Sequence, residues 1–165
     1  MKTSDPTALV SDVFRVAFAE RERVDAAEWA ERYRVVAQGG TPGAWSWERA
    51  PYTRGIHRAW SDPSIRRLTL MKSEQVGGTE TQFNCLFWGI EQRPGPRLWI
   101  YPNINLARLV NSRRLEPSMR ACERLKRLIG HSRSDLTKLE IGFLDGTFIF
   151  FTGSNSDANV ESFSY

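Results

Sequence analysis

The sequence predicts a three-layer α/β domain behind an N-terminal helical arm, and three observations predict it. Short apolar runs with polar ends alternate with segments whose apolar residues recur at helical spacing, the pattern of strands interleaved with helices. A glycine-containing loop, Lys72 to Gly78, stands between the first of those runs and the helical segment that follows. Late in the chain the period falls to two, and two alternating runs meet across Asp145-Gly146, a hairpin signal.

The elements follow in order. Leu9, Val13, Val16 and Ala17 give one apolar stripe at helical spacing. Asp25-Ala-Ala-Glu28 opens a second short helix, with Asp25 as its cap and Glu28 three residues on. Residues Gln38 to Trp47 are rich in Gly, Pro and Trp and read as a loop, so that 1–50 form a helical arm and loop ahead of an α/β portion at 51–165. Ile56 to Trp60 is a short helix stopped by Ser61-Asp62-Pro63. Arg67 to Met71 then reads as a buried strand, and Thr79 to Ile90 as a helix with Phe83, Leu86, Phe87 and Ile90 on its apolar face. Arg97 to Tyr101 is the second strand, after which Asn103 or Asn105 caps a helix carrying Leu106, Leu109 and Val110. Pro117 restarts the chain into a helix that Gly130 closes, and Leu139, Ile141 and Phe143 form the hairpin with Phe148 to Phe151.

Composition bounds the function classes. With 165 residues and 41% hydrophobic content the chain makes one domain with a real core, which excludes disorder of the whole. It holds no run near the roughly 20 apolar residues of a membrane span and no apolar signal segment at Met1 to Val10, so a cytoplasmic protein is expected. Cys85 and Cys122 lack paired spacing and are expected to be buried free thiols. The net charge of +4 is unevenly spread: Arg93, Arg97, Arg108, Arg113, Arg114, Arg120, Arg124, Lys126 and Arg127 make a basic stretch. Such a stretch can follow a phosphate backbone, although charge runs are usually solvated helix faces. For Arg113 and Arg114, pairing with a nearby acid such as Glu116 is favoured over a DNA or trans-acting role. His57 and His131 have no partner at metal or triad spacing and are expected to be structural, and Trp29, Trp88 and Trp99 are expected in the core.

The chemistry lies in Met71-Lys-Ser-Glu-Gln-Val-Gly-Gly-Thr-Glu80. Backbone N–H groups of a tight glycine loop and of the next helix N-terminus concentrate positive potential on a polyphosphate. A hydroxyl directly after the loop, here Thr79, can ligate the Mg²⁺ that bridges the outer phosphates. Against the pattern G-x-x-x-x-G-K-[ST], the segment keeps Gly77 and Thr79 but has Lys72 for the first glycine and Gly78 for the lysine.

Lys72-Ser73, Gln75, Gly77 and Thr79-Glu80 resemble the loop K-S-x-Q-x-G-K-T-E of the GpA-type terminase large subunits of tailed phages. Similar landmarks flank it: Pro51-Tyr52, Asp62-Pro63, Tyr101-Pro102, the run Ser112 to Pro117 and the turn Gly153 to Ser156. The resemblance implies a P-loop NTPase-like three-layer sandwich, seen here with an incomplete sheet, and the ATPase part of the motor that drives phage DNA into a capsid. It implies ATP and Mg²⁺ as cofactors, with Lys72, Ser73, Glu74, Gln75, Val76, Gly77, Gly78, Thr79 and Glu80 around the nucleotide and Thr79 on the metal. Tyr52, more than Trp45, would lie against the adenine ring. Implied partners are double-stranded DNA, the small terminase subunit, the portal and procapsid, and further copies of the chain. A Walker B strand is expected after the Ser154 turn and is not found by Tyr165, where Asp157 and Glu161 read as loop acids, so hydrolysis by this chain alone is expected to be negligible. A helicase-like ATPase and a decayed, non-catalytic binding module are the alternatives.

Overall fold

The computed structural model describes residues 22–37, 42–129 and 139–155, together with Thr7, Val10, Ser11, Phe14 and Phe18. The stripe at Leu9, Val13, Val16 and Ala17 lies outside the described residues, as do Gly130, His131, Ser156, Asp157 and Glu161.

Helix α1 (Ala26–Tyr33) starts where the capping signal places it, Asp25 accepting from the Glu28 amide at 2.7 Å. Its face of Ala26, Ala27, Trp29 and Ala30 is buried. Strands β1 (Val35–Val36) and β2 (Gly43–Ala44) pair antiparallel inside the segment expected to be loop. Two residues per strand are too few to show a period in the sequence. A 3₁₀ turn at Pro51–Thr53 leads into α2 (Arg54–Ser61), which ends at Asp62 as the turn signal requires.

Helix α3 (Gly78–Gln92) is the centre of the molecule. Phe83, Asn84, Cys85, Leu86, Phe87, Trp88 and Ile90 are all buried, far more than one stripe. Both α1 and α2 pack on it, and Trp29 Nε1 donates to Glu91 Oε2 at 2.6 Å. Strand β3 (Arg97–Tyr101) follows, and Asn103, rather than Asn105, caps α4 (Ile104–Val110) by accepting from the Leu106 amide at 2.8 Å. The chain does not restart at Pro117. It runs on from α4 through a π turn at Asn111–Leu115 into α5 (Glu116–Ala121), the Glu116 amide bonding back to the Asn111 carbonyl. The break comes at Cys122, whose extended backbone separates α5 from α6 (Glu123–Lys126).

The hairpin is present as β4 (Glu140–Gly142) and β5 (Phe148–Gly153), with Ile141 opposite Ile149 and Gly146 at a φ of 80° in the turn. Strand β5 also pairs in parallel with β3, Trp99 beside Phe151, so the sheet order is β3-β5-β4.

A further expectation fails. Arg67 to Met71 forms no strand and is not buried: Leu70 is 36% and Met71 97% exposed. An apolar run becomes a strand only where a neighbour supplies the other half of the ladder. Here the facing strand, β3, lies across a groove of about 430 Å³ lined by Leu68 and Leu70 on one side and Leu98 and Trp99 on the other.

Candidate functional site

The loop of residues 72–77 enters α3 through two left-handed residues. Gln75, at a φ of 57°, is the one non-glycine residue with positive φ among the described residues, and Gly77, at 68°, is the N-cap of α3. Such geometry costs free energy for any residue with a β-carbon and gathers at ligand-binding turns. The first intrahelical bond runs from the Thr81 amide to the Gly77 carbonyl at 2.9 Å, and the Thr81 hydroxyl reaches the same oxygen at 3.1 Å. The amides of Gly78, Thr79 and Glu80 therefore have no acceptor within the helix and stand at its positive end.

Gly78 is buried beneath the side chain of Lys72. A β-carbon built on Gly78 would run into Lys72 Cδ and Cε, with Nζ 3.2 Å away. The lysine before the loop thus crosses it and fills the space in which a side chain at position 78 would begin. Its Nζ donates to the Ser73 carbonyl at 3.3 Å and remains exposed. Tyr52 is brought to the same place: its hydroxyl donates to the Val76 carbonyl at 3.2 Å while its ring stays 60% exposed. Tyr52, Lys72, Ser73, Val76 and Gly78 line a cavity of about 410 Å³, with Ile56 and Leu70 as apolar wall. Trp45 is elsewhere, buried against Trp47 and His57. Glu74 and Gln75 are exposed at the loop tip, and Thr79 is half-buried in the first turn of α3. Among the described residues no group of three His, Cys, Asp or Glu could hold a metal ion.

Glu80 is turned to two guanidinium groups. Its Oε2 lies 2.5 Å from Arg34 Nη2 and its Oε1 3.0 Å from Arg114 Nη2. Arg34 is fully buried, donates from Nε to Asn84 Oδ1 at 2.9 Å and from Nη1 to the Val35 carbonyl, and lies over the Phe87 ring. Burial lowers its pKa, and the Glu80 charge opposes that. Asn84 Nδ2 meets His57 Nε2 at 3.1 Å, and His57 Nδ1 meets the Thr53 carbonyl at 2.7 Å. Because a carbonyl only accepts, the proton of His57 sits on Nδ1 and Nε2 accepts from Asn84. Burial lowers the His57 pKa, in keeping with this neutral form. The sequence signals this network at one point: Asn84 stands among Phe83, Leu86 and Phe87, and a polar residue inside an apolar face requires a partner.

Much of the basic stretch is taken up internally. Arg93 donates to the Ser61 carbonyl, Arg97 to the Gly89 carbonyl, and Arg124 pairs with Glu91, each at 2.7 Å. Arg120 pairs with Glu116, the acid expected for Arg114, and Lys126 with Glu123. Both cysteines are buried free thiols, and burial pushes Cys85 up to about 12.

No helix among the described residues is long and apolar enough to cross a membrane. No curated protein matches the chain. The family model for the phage terminase large subunit gpA, ATPase domain, matches residues 39–165, which include Tyr52, the Lys72 loop, Arg114 and the hairpin. The chain therefore belongs to the ATPase-domain family of the phage terminase large subunit gpA.

Proposed function

We propose that residues 72–80 are the nucleotide-binding loop of a terminase-type ATPase acting in phage DNA packaging, with Lys72 as its phosphate-binding cation. The observation that carries this reading is the Lys72 side chain lying across Gly78, which explains the departure from the usual motif. The cation enters from the opposite end of the loop, and glycine at 78 is what lets it cross. The amides of Gly78, Thr79 and Glu80 would receive phosphate oxygens, and the Tyr52 ring, exposed beside the cavity, would pack on the base. The Thr79 hydroxyl at the start of α3 would hold Mg²⁺ together with phosphate oxygens and water, as is usual for this ion. When bound it supplies charge neutralisation across the outer phosphates. Glu80 follows Thr79 directly but is occupied by Arg34 and Arg114, so its role is to position rather than to ligate.

In the assembled motor the partners would be double-stranded DNA, the small terminase subunit, the portal and procapsid, and neighbouring copies of the chain. The test is titration of the purified chain with Mg·ATP. Binding by the wild type, weakened about tenfold or more by Lys72→Ala through loss of a charge-assisted contact, is expected. Equal affinity of the two proteins would remove the carrying observation.

A further inference from the structure

Two guanidinium groups share the single carboxylate of Glu80, and they are held in different ways. Arg34 is fully buried and committed at Nε, Nη1 and Nη2 to Asn84, Val35 and Glu80. Taking it away would leave the buried Asn84 carbonyl oxygen without its donor and Glu80 without its buried counter-charge, so it does not move. Arg114 is 45% exposed and is held by one contact to Glu80 at 3.0 Å, with its guanidinium over the Phe83 ring at 5.9 Å. One positive charge of the pair is uncompensated, beside the residue that follows Thr79.

Arg114 lies in the π turn at Asn111–Leu115, which inserts an extra residue into the helical path after β3. Its charge acts on Tyr101 at the carboxyl end of β3, the end at which ligands of α/β sheets bind. The hydroxyl of Tyr101, the last residue of β3, is buried without a partner. Its pKa is pushed up to about 12 by burial and drawn back by the nearby Arg114 charge.

We propose that Arg114 is a further phosphate-contacting residue of this site, parked on Glu80 in the empty state and passed to the outermost phosphate when a nucleoside triphosphate enters, with Arg34 keeping Glu80 neutralised. The proposal rests on the nucleotide-loop reading above. The exchange breaks no covalent bond. Phosphate offers a guanidinium the bidentate geometry that its single contact to Glu80 lacks, and Glu80 is never left unpaired, because Arg34 stays. Arg114 thereby reads the third phosphate, which a diphosphate does not present.

The test measures Mg-dependent binding of fluorescent ATP and ADP analogues to the wild-type chain and to Lys72→Ala, Arg114→Ala and Arg114→Lys, each checked for folding by thermal melting. The wild type should prefer the triphosphate. Arg114→Ala should lose about tenfold in triphosphate affinity and leave the diphosphate unchanged, abolishing the preference. Arg114→Lys should recover part of it as a point charge. If Arg114→Ala does not fold, the ratio of triphosphate to diphosphate affinity in Arg114→Lys decides: a ratio below that of the wild type supports the proposal, and an unchanged ratio overturns it. A purely structural clamp would lower both nucleotides equally in Arg114→Ala, and that result overturns the proposal. Binding that needs Lys72 but keeps its triphosphate preference without Arg114 overturns the proposal and spares the loop reading. No nucleotide binding by the wild type, or binding indifferent to Lys72, overturns both.

Discussion

Lys72 and Gly78 compete for one volume, and that fixes what substitutions there must do. Gly78→Ala places a β-carbon against the far end of a flexible side chain, which can swing away at little cost to stability. It should therefore lower triphosphate affinity toward the Lys72→Ala level with almost no change in melting temperature, measured by titration and by calorimetry. Gly78→Lys alone cannot add a second cation without displacing the first, whereas Gly78→Lys combined with Lys72→Ala should restore binding. His57 gives a second residue-scale outcome. Its pKa is lowered below the ordinary 6.5 on folding, so its contribution is full above that value and is lost as pH falls through the lowered folded value. Melting temperature should fall between pH 7 and pH 5 more steeply in the wild type than in His57→Gln, and matching slopes would show that the ring does not titrate in this way. Among the proposed site residues, motif spacing marks Gly77 and Thr79 in the sequence, and the family resemblance marks Lys72 and Tyr52. Arg34 is marked by neither, since nothing local to Tyr33-Arg34-Val35 announces a partner 46 positions away at Glu80.

The elements that sequence reads well are those with local signatures. Asp25 and Asn103 cap the helices they precede, and Asp145-Gly146 turns its hairpin, because each effect is decided within a few residues. The break at Cys122 and the unpaired run Arg67 to Met71 are decided by what packs or pairs across the molecule, which periodicity cannot report. Contact between elements also sets a glycine requirement. At the end of β5, a β-carbon on Gly153 would lie 2.5 Å from the Ile104 amide nitrogen and 2.7 Å from the Asn103 carbonyl carbon, backbone that cannot yield without moving α4 off the sheet. Gly153→Ala should cost roughly 1–3 kcal/mol by overpacking, read as a lower denaturation midpoint with an unchanged slope.

On the scale of the whole molecule, the groove between Leu68 and Leu70 and strand β3 is lined also by Trp60, and Ile65 and Met71, to either side in the sequence, are exposed as well. An exposed apolar patch beside an edge strand favours association. Sedimentation of the chain should show concentration-dependent self-association, reduced in a Leu68→Asp, Leu70→Asp double variant; a monodisperse monomer at every concentration would count against it. The same groove borders the run that delivers Lys72, so the site stands at the end of a segment that no sheet supports. The central claim is that the amides at the start of α3 hold phosphate under the Lys72 side chain. Amide resonances of the ¹⁵N-labelled chain, followed during titration with Mg·ATP, test it most directly. Large shifts are expected at Gly78, Thr79 and Glu80, lost in Lys72→Ala, with Asp145 and Gly146 in the hairpin turn unmoved. Binding with those three amides undisturbed, or no binding at all, would contradict it.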